Sequence, residues 1–273
     1  MKKIVLFFTA ALLVYSYNAT AQVRQLKKVM ELQMPKKVGD DLCGTRGASV
    51  VWNPLTKKYY AGFAGNSGFP MGVFNMAGKR LSEDDQTTLI DIRGLWYNPK
   101  SKAICGNAYG SIGWFKYTLD AKGMPESLDT LLSGYYQPSE NSVGCYHQLR
   151  DEVLFLNGPN VSLYTSSDGG SDESRSVHWG RKKSQGPEAE MVSDLPPMYN
   201  NNVVLYTGIK GSELGFLNVK KKQIELYEFE KGFMTTALKL PSTAKTEESF
   251  NLAFANGIYW LFDIMNRKWV GYK

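Results

Sequence analysis

The chain has 273 residues, 13% of them aromatic, and a formal charge of +6 at neutral pH. An excess of positive charge this small predicts neither nucleic acid nor an acidic surface as a partner. After residue 21, no stretch reaches the roughly 18 consecutive apolar residues that a membrane-spanning helix needs, so we expect no membrane span.

The N-terminus is typical of a secretory signal peptide. It opens with the basic tripeptide MKK, continues with an almost wholly apolar run at residues 4–14, and ends in the small-x-small pattern of Ala19 and Ala21. The apolar run is too short to span a membrane, and no nearby cysteine offers a site for a lipid anchor. The alternative is an uncleaved N-terminal anchor. We expect residues 1–21 to be removed and the protein to be secreted or periplasmic.

The remaining residues, 22–273, have a length that is usual for one all-β domain. Few stretches show a helical period. Short apolar and aromatic runs alternate instead with clusters of Gly, Asn, Pro, Asp and Ser, a pattern that predicts many short strands in a meander.

An internal repeat organises this part of the chain. Residues 51–65 read VWNPLTKKYYAGFAG, and residues 96–110 read WYNPKSKAICGNAYG. Asn53 matches Asn98, and a proline follows each of them. Asn-Pro predicts a turn, because proline presets φ and the asparagine side chain caps the turn. A repeat of this length can decide the whole fold.

Each repeat is expected to form four strands, lettered a to d. The first should end in a strand at residues 87–92. The third is looser, and its polar segment 166–176 is interpreted as a long exposed loop. The last repeat has only three strands, whereas Leu26 to Gln33 is a strand candidate without a repeat. We therefore expect Leu26 to Gln33 to pair with Lys268 to Lys273, which would close a ring and leave no open sheet edge.

This organisation resembles the β-propellers, the radial architecture of four-stranded blades found in the WD, kelch and NHL families. The resemblance is architectural and covers the chain after the leader. The sequence has no GH…WD pair, no kelch double glycine and no YWTD run, so no family residues are carried over. The resemblance implies one all-β propeller domain over 22–273, most simply with five blades and as a monomer. Six blades stay open, because residues 166–240 are long enough to hold one more.

The cysteines leave two alternatives. Cys43, Cys105 and Cys145 are an odd number in an exported chain, so at most one internal disulfide can form. Cys105 and Cys145 lie in strand-like stretches of neighbouring repeats and are the candidate pair. The alternative is three buried thiols. No CxxC motif is present, and His147 and His178 are the only histidines, so we predict no metal site.

Candidate ligand-binding residues follow from propeller geometry. Ligands of propellers bind at the face formed by the d-to-a and b-to-c connections. Arg46 and Arg93 each precede an inner strand through an Arg-Gly step, and two guanidinium groups at one channel mouth could hold an anion. The alternative is that the two arginines pair with Asp41, Asp91 or Glu248 as structural links between blades. Tyr146 and His147 are further candidates in the third repeat.

Two aromatic residues adjoin Gly-rich loops between strands b and c. Phe69 lies in GNSGFP, and Trp114 follows GSIG. Rings beside such loops suit sugars or flat organic ligands. The alternative is that the glycines only make turns and Trp114 begins a core strand.

The leading functional hypothesis is a non-catalytic binding or scaffold propeller that engages a protein or glycan around its central channel. A glycosidase-like enzyme with channel-mouth carboxylates is the alternative, and a structural part of a surface assembly is the third. The predicted inner strands carry no acid, and Asp91 and Glu140 only adjoin strand ends. The sequence shows no nucleophile elbow, HExxH or P-loop. We therefore predict no catalytic residue and no cofactor.

We expect the exported protein to begin at Gln22, because Ala19 and Ala21 fit the small-residue rule for cleavage. Intact-mass measurement or N-terminal sequencing of protein recovered outside the cytoplasm tests this expectation. A product that retains residues 1–21 would contradict it.

Overall fold

The computed structural model describes residues 24–35, 46–171, 173–185 and 194–273. The predicted leader and Cys43 lie outside these residues. The described residues form twenty strands and two short 3-10 helices, at Gly110–Ile112 and Lys183–Gln185. Neither helix has the length or the apolar character to cross a membrane. The strands are β1 (Arg24–Gln25), β2 (Lys28–Gln33), β3 (Arg46–Asn53), β4 (Lys58–Ala64), β5 (Met71–Asn75), β6 (Ile92–Asn98), β7 (Ala103–Ala108), β8 (Trp114–Leu119), β9 (Pro125–Leu132), β10 (Cys145–His147), β11 (Glu152–Asn157), β12 (Asn160–Thr165), β13 (Glu173–Ser176), β14 (Leu205–Tyr206), β15 (Leu214–Asn218), β16 (Gln223–Tyr227), β17 (Met234–Lys239), β18 (Leu252–Ala255), β19 (Ile258–Asp263) and β20 (Lys268–Tyr272).

The strands form five sheets, and each sheet is one blade of a β-propeller. In chain order the blades are β3–β5, β6–β9, β10–β13, β14–β17, and β18–β20 with β2. The inner strands β3, β6, β10, β14 and β18 contact one another in sequence, and β18 contacts β3. The ring is therefore closed. The five-bladed architecture is confirmed, and the described residues contain no sixth blade.

The N-terminal segment closes the ring, as the sequence predicts. Strand β2 pairs antiparallel with β20, with Glu31 opposite Val270 and Leu32 opposite Trp269. Strand β1 adds a contact that the sequence did not indicate, because it pairs in parallel with β17 at the outer edge of blade 4. The segment from β1 to β2 therefore links blade 4 to blade 5.

The repeated Asn-Pro turns have the predicted mechanism. The Oδ1 of Asn53 accepts the backbone N–H groups of Leu55 and Thr56, at 3.0 and 3.3 Å. Asn98 does the same in blade 2, at 2.9 and 3.3 Å. Lys57 and Lys102 end the two turns with φ near 54° and 55°, a left-handed conformation. The repeated Asn-Pro turns therefore have the same structure in blades 1 and 2 and reverse the chain between strands a and b.

The hydrophobic core lies between the blades rather than at one centre. One cluster of buried side chains fills the interface of blades 5 and 1, one that of blades 2 and 3, and one that of blades 3 and 4. The largest cluster joins the remaining two interfaces across the axis and includes Val143 and Val203. Each blade is therefore held by side-chain packing on both of its faces.

Two strand predictions are wrong. The first repeat has no strand at 87–92, because only the isolated bridges Phe74–Arg80 and Pro70–Thr87 occupy its outer position and Ile92 already begins β6. The intervening sequence, LSEDDQ, is polar and carries no apolar alternation. Conversely, the expected loop at 166–176 ends in β13, where Glu173–Ser176 forms the outer strand of blade 3.

The candidate disulfide between Cys105 and Cys145 is not formed, and both residues are free thiols. Cys105 belongs to the cluster between blades 2 and 3, whereas Cys145 packs against the cluster between blades 3 and 4. Side chains alternate along β10, so Tyr146 faces the first cluster and Cys145 faces away from it. Burial raises the pKa of Cys105 to about 11 and that of Cys145 to about 12, which keeps both protonated at neutral pH.

We expect Leu32→Ala to lower the free energy of unfolding by about 2–5 kcal/mol, the usual cost of truncating a buried leucine. Leu32 is fully buried between blades 5 and 1. The matched control is Val29→Ala in the same strand, where the side chain is half exposed and the expected change is within about 0.5 kcal/mol. Denaturant unfolding measures both variants. Equally small effects would show that β2 is a detachable tail.

Candidate binding site in the central channel

The five inner strands enclose a cavity of about 230 Å³ along the axis of the ring. Its lining reaches the ends of the inner strands and, in blades 1, 3 and 5, includes the first residue of the a-to-b turn: Pro54, Gln148 and Asn256. The cavity therefore lies towards the face of the a-to-b turns. Propeller ligands were expected at the opposite face, that of the d-to-a and b-to-c connections, so the cavity's position differs from this expectation.

Aromatic residues from every inner strand line this cavity, and β6 contributes two, Trp96 and Tyr97. We call the five that stand nearest the strand ends the aromatic collar: Trp52, Tyr97, Tyr146, Tyr206 and Phe254. Four of them are partly exposed, and Tyr146 is buried. They stand at the ends of the inner strands, where each strand turns towards strand b. Rings at such positions offer a large contact area with little conformational freedom to lose.

The rest of the lining is mostly apolar and carries no charge. Ser49, Gln148 and Asn256 contribute hydroxyl and amide groups, and no charged side chain is among the lining residues that the structure describes. Each inner strand is also the first strand of its sheet, so the backbone edge that does not pair within the blade faces the channel. Backbone N–H and C=O groups along such edges can bind a ligand.

The position of Tyr146 is fixed by a polar link between blades. Its hydroxyl donates to Asp151, which also accepts hydrogen bonds from Ser166 and, at 2.6 Å, from Lys100 of the blade 2 turn. Burial by itself would raise the pKa of Asp151, but the hydrogen bonds from Lys100, Ser166 and Tyr146 outweigh it and lower that pKa to about 2. Burial and the neighbouring Asp151 raise the pKa of Tyr146, so its phenol stays protonated.

Phe250 lies just before the inner strand of blade 5, at the opposite end of that strand from the collar. Its ring is buried, and its backbone N–H donates to the Oδ1 of Asn202 in the connection that precedes blade 4, at 2.7 Å. The guanidinium groups of Arg46 and Arg93 lie 5.6 and 5.8 Å from the centroid of this ring. Groups from four blades can meet at one ring only close to the axis. The two arginines therefore lie at the same end of the channel, on either side of Phe250.

The surroundings of Arg93 match the structural alternative. Its side chain is buried and pairs with Asp91 at 2.5 Å and with Asn141 at 3.1 Å. Asp91 also accepts the backbone N–H of Gly65 in blade 1, at 2.7 Å, so the pair links two blades. Arg46 is exposed. The structure thus places the two arginines near one ring, but the guanidinium of Arg93 already forms an ion pair with Asp91.

The other predicted site residues are dispersed. Trp114 is fully buried between blades 2 and 3, so it is a core residue rather than a surface contact. Phe69 packs edge-on against Phe63 at 6.3 Å. Tyr146 lines the channel, and His147 is buried beside it on the face of the a-to-b turns. No group of His, Cys, Asp and Glu among the described residues has the arrangement of a metal site.

Sequence reasoning missed four of the five collar residues. The signal was present, because an aromatic residue stands at the end of each inner strand, in VVWNP, LWYNP, GCYHQ, VLYTG and LAFAN. In isolation each of these residues fits a core strand equally well. Only the closed ring shows that the five rings share one opening.

Comparisons with known proteins add a likeness of fold only. No family model matches the chain, and no curated protein matches it. Among solved structures, one similar chain comes from the "Crystal structure of Nidogen/Laminin Complex", at 10% identity and a TM-score of 0.40. The match covers 71% of this chain and 63% of that one. At this level it carries no argument about function.

The stability that Asp151 contributes should depend on pH in the acid range. Its pKa is lowered from 3.8 to about 2, so the stabilisation is fully present above about pH 4 and is lost as the pH falls towards 2. Asp151→Asn should therefore destabilise the protein at pH 7 and much less at pH 2. Asp129→Asn, in an exposed pair with Lys116, is the control. Urea unfolding across this pH range measures both, and a pH-independent effect of Asp151→Asn would contradict the assignment.

Proposed function

We propose that this protein is an exported, non-catalytic binding propeller that engages a partner protein at the face of its a-to-b turns. The observation that carries the proposal is the aromatic collar around an uncharged cavity at the centre of this face. The signal-peptide pattern supports export. The cavity is smaller than the roughly 300–1,000 Å³ of sites for drug-sized ligands, so it suits one inserted side chain.

Exposed apolar side chains on the surrounding turns support a protein partner. Leu55, Leu149 and Ile209 stand on the a-to-b connections of blades 1, 3 and 4, and Leu149 is 83% exposed. Single exposed apolar residues are common, but several of them around an aromatic centre are typical of an interface. The opposite face also carries exposed apolar residues, including Ile112 and Met265, but the aromatic collar lies at the other end of the channel.

The lining favours binding over glycoside chemistry. A glycosidase needs two carboxyl groups on either side of the reacting bond, and the described lining residues of the cavity contain neither Asp nor Glu. The collar offers aromatic rings, amides and backbone groups, which recognise a partner through packing and hydrogen bonds. The same groups can also contact a sugar ring, so the test includes glycans.

The experiment places a photo-crosslinking residue at Leu149 and, as a control, at Met265 on the opposite face, in the organism that makes the protein. A partner recovered only through position 149 is purified, and its dissociation constant is measured by titration. We expect Leu55→Asp with Leu149→Asp to weaken binding by at least about tenfold, because hot-spot residues at interface centres contribute about 2 kcal/mol or more.

The matched control is the double variant Ile112→Asp with Met265→Asp, which adds the same charge to the other face and should leave the dissociation constant unchanged. Equal losses from both double variants would contradict the proposed face. If the collar-face variant binds the partner normally, or if position 149 recovers only glycans, the partner is not a protein held at this face.

A further inference from the structure

A second cavity, of about 420 Å³, opens beside the aromatic collar between blades 3 and 4. It is formed by the a-to-b turn of blade 3 and by the two connections of blade 4 on the same face, at residues 207–213 and 228–233. Tyr206 lines both this cavity and the channel, so the two are adjacent. Its volume lies within the roughly 300–1,000 Å³ of typical small-molecule sites.

Aromatic rings form one side of this second cavity. The imidazole of His147 stacks on the ring of Tyr206, with centroids 4.2 Å apart and planes 25° from parallel. The ring of Phe229 meets the imidazole edge-on at 4.7 Å. His147 and Phe229 are buried, so packing fixes the geometry of these rings before any ligand arrives.

His147 has an unused ring nitrogen in this position. The residue is 5% exposed, and its Nδ1 has no hydrogen-bond partner among the described residues. Buried polar atoms are usually paired, so this nitrogen calls for an explanation. Burial lowers the pKa of the imidazole, and the ring is therefore mainly neutral at pH 7.

The charges around this cavity favour a positive ligand. Glu213, Glu228 and Glu230 line it, together with Arg150 and the exposed Lys210. The guanidinium of Arg150 is already paired with two carboxylates outside the lining, Glu152 at 2.7 Å and Glu173 at 2.9 Å. The carboxylates of the lining therefore outnumber the cations that remain.

Two of these carboxylates have room for a ligand. The side chain of Glu228 has no ion pair or hydrogen bond with the residues that the structure describes, and Glu230 has only a long contact with Arg175, at 3.8 Å. The third, Glu213, accepts the backbone N–H groups of Gly211 and Phe229. These two hydrogen bonds hold its carboxylate in place.

We propose that the second cavity is a binding site for a small organic cation, a ligand whose ammonium group lies against the rings of Tyr206 and His147 and near Glu228 and Glu230. Cations bind over aromatic faces, and methylated ammonium groups are recognised by several rings together. We call this site the cation pocket. It does not depend on the proposed partner protein, because its ligand class is different and it shares only Tyr206 with the collar.

The test is a titration with choline chloride, followed through the imidazole carbon-bound protons by NMR. The chain has two histidines, so the spectrum contains its own control. His147 lines the cation pocket, whereas His178 stacks on Phe233 at 4.1 Å and neither of these two residues is in its lining. Choline should shift the His147 signals saturably and leave those of His178 in place. Sodium chloride at the same ionic strength and the neutral isostere 3,3-dimethylbutan-1-ol should not reproduce the shift.

Variants then assign the contacts. Tyr206→Leu should raise the dissociation constant of choline about tenfold through the lost cation–π contact, and Glu228→Gln should raise it roughly threefold. Glu126→Gln removes an exposed carboxylate from blade 2 and should have no effect. The proposal is overturned if His147 does not respond to choline, if the neutral alcohol or sodium chloride gives the same response, or if Glu126→Gln and Glu228→Gln weaken binding equally.

Discussion

The constraint on which this structure depends is that every blade is covered on both faces by its neighbours. The strands consequently lack the alternation of a sheet with one wet face. Tyr59 to Ala64 in β4 and all six residues of β19 are buried without interruption. Polar sequence is left to the turns and to outer strands such as β9. Chemistry that depends on exposed groups is therefore restricted to the two faces of the ring and to its channel.

Polar groups that do enter the interfaces are satisfied in networks. Glu225 of blade 4 is completely buried, and its carboxylate accepts hydrogen bonds from Tyr199, Tyr227, Asn218 and Gln223. Tyr199 belongs to the long connection between blades 3 and 4, so the network attaches that connection to the sheet. A buried charge without partners is costly. The network therefore favours the one arrangement of the interface in which all four donors reach Glu225. The link from Arg93 through Asp91 to Gly65 serves blades 1 and 2 in the same way.

The sequence predicts the ring, its five blades and its closure because these depend on patterns that are local. Asn53 and Asn98 show their turns through neighbouring residues, and the surplus strand at one end matches the missing strand at the other. The site was harder to predict because it depends on residues that are far apart in the chain. Trp114 follows a glycine loop, and the sequence therefore suggested a ligand contact, but the residue lies in the core. No local pattern shows which face of a blade a neighbouring blade covers. Trp52 and Phe254 line one opening only once blade 5 meets blade 1. The predicted disulfide failed for the same reason, because the direction in which Cys145 points depends on the register of β10.

The pairing of β2 with β20 also determines when the ring can form. Glu31 and Lys268, which bond across this pair, are 237 residues apart, so their contact requires the closure of almost the whole chain. Closing a loop of this length costs chain entropy, so we expect this contact to form late in folding. Until the final strand β20 is available, β19 and β2 lack their partner and present unpaired strand edges. Interrupted synthesis would therefore leave an aggregation-prone arc rather than a smaller propeller.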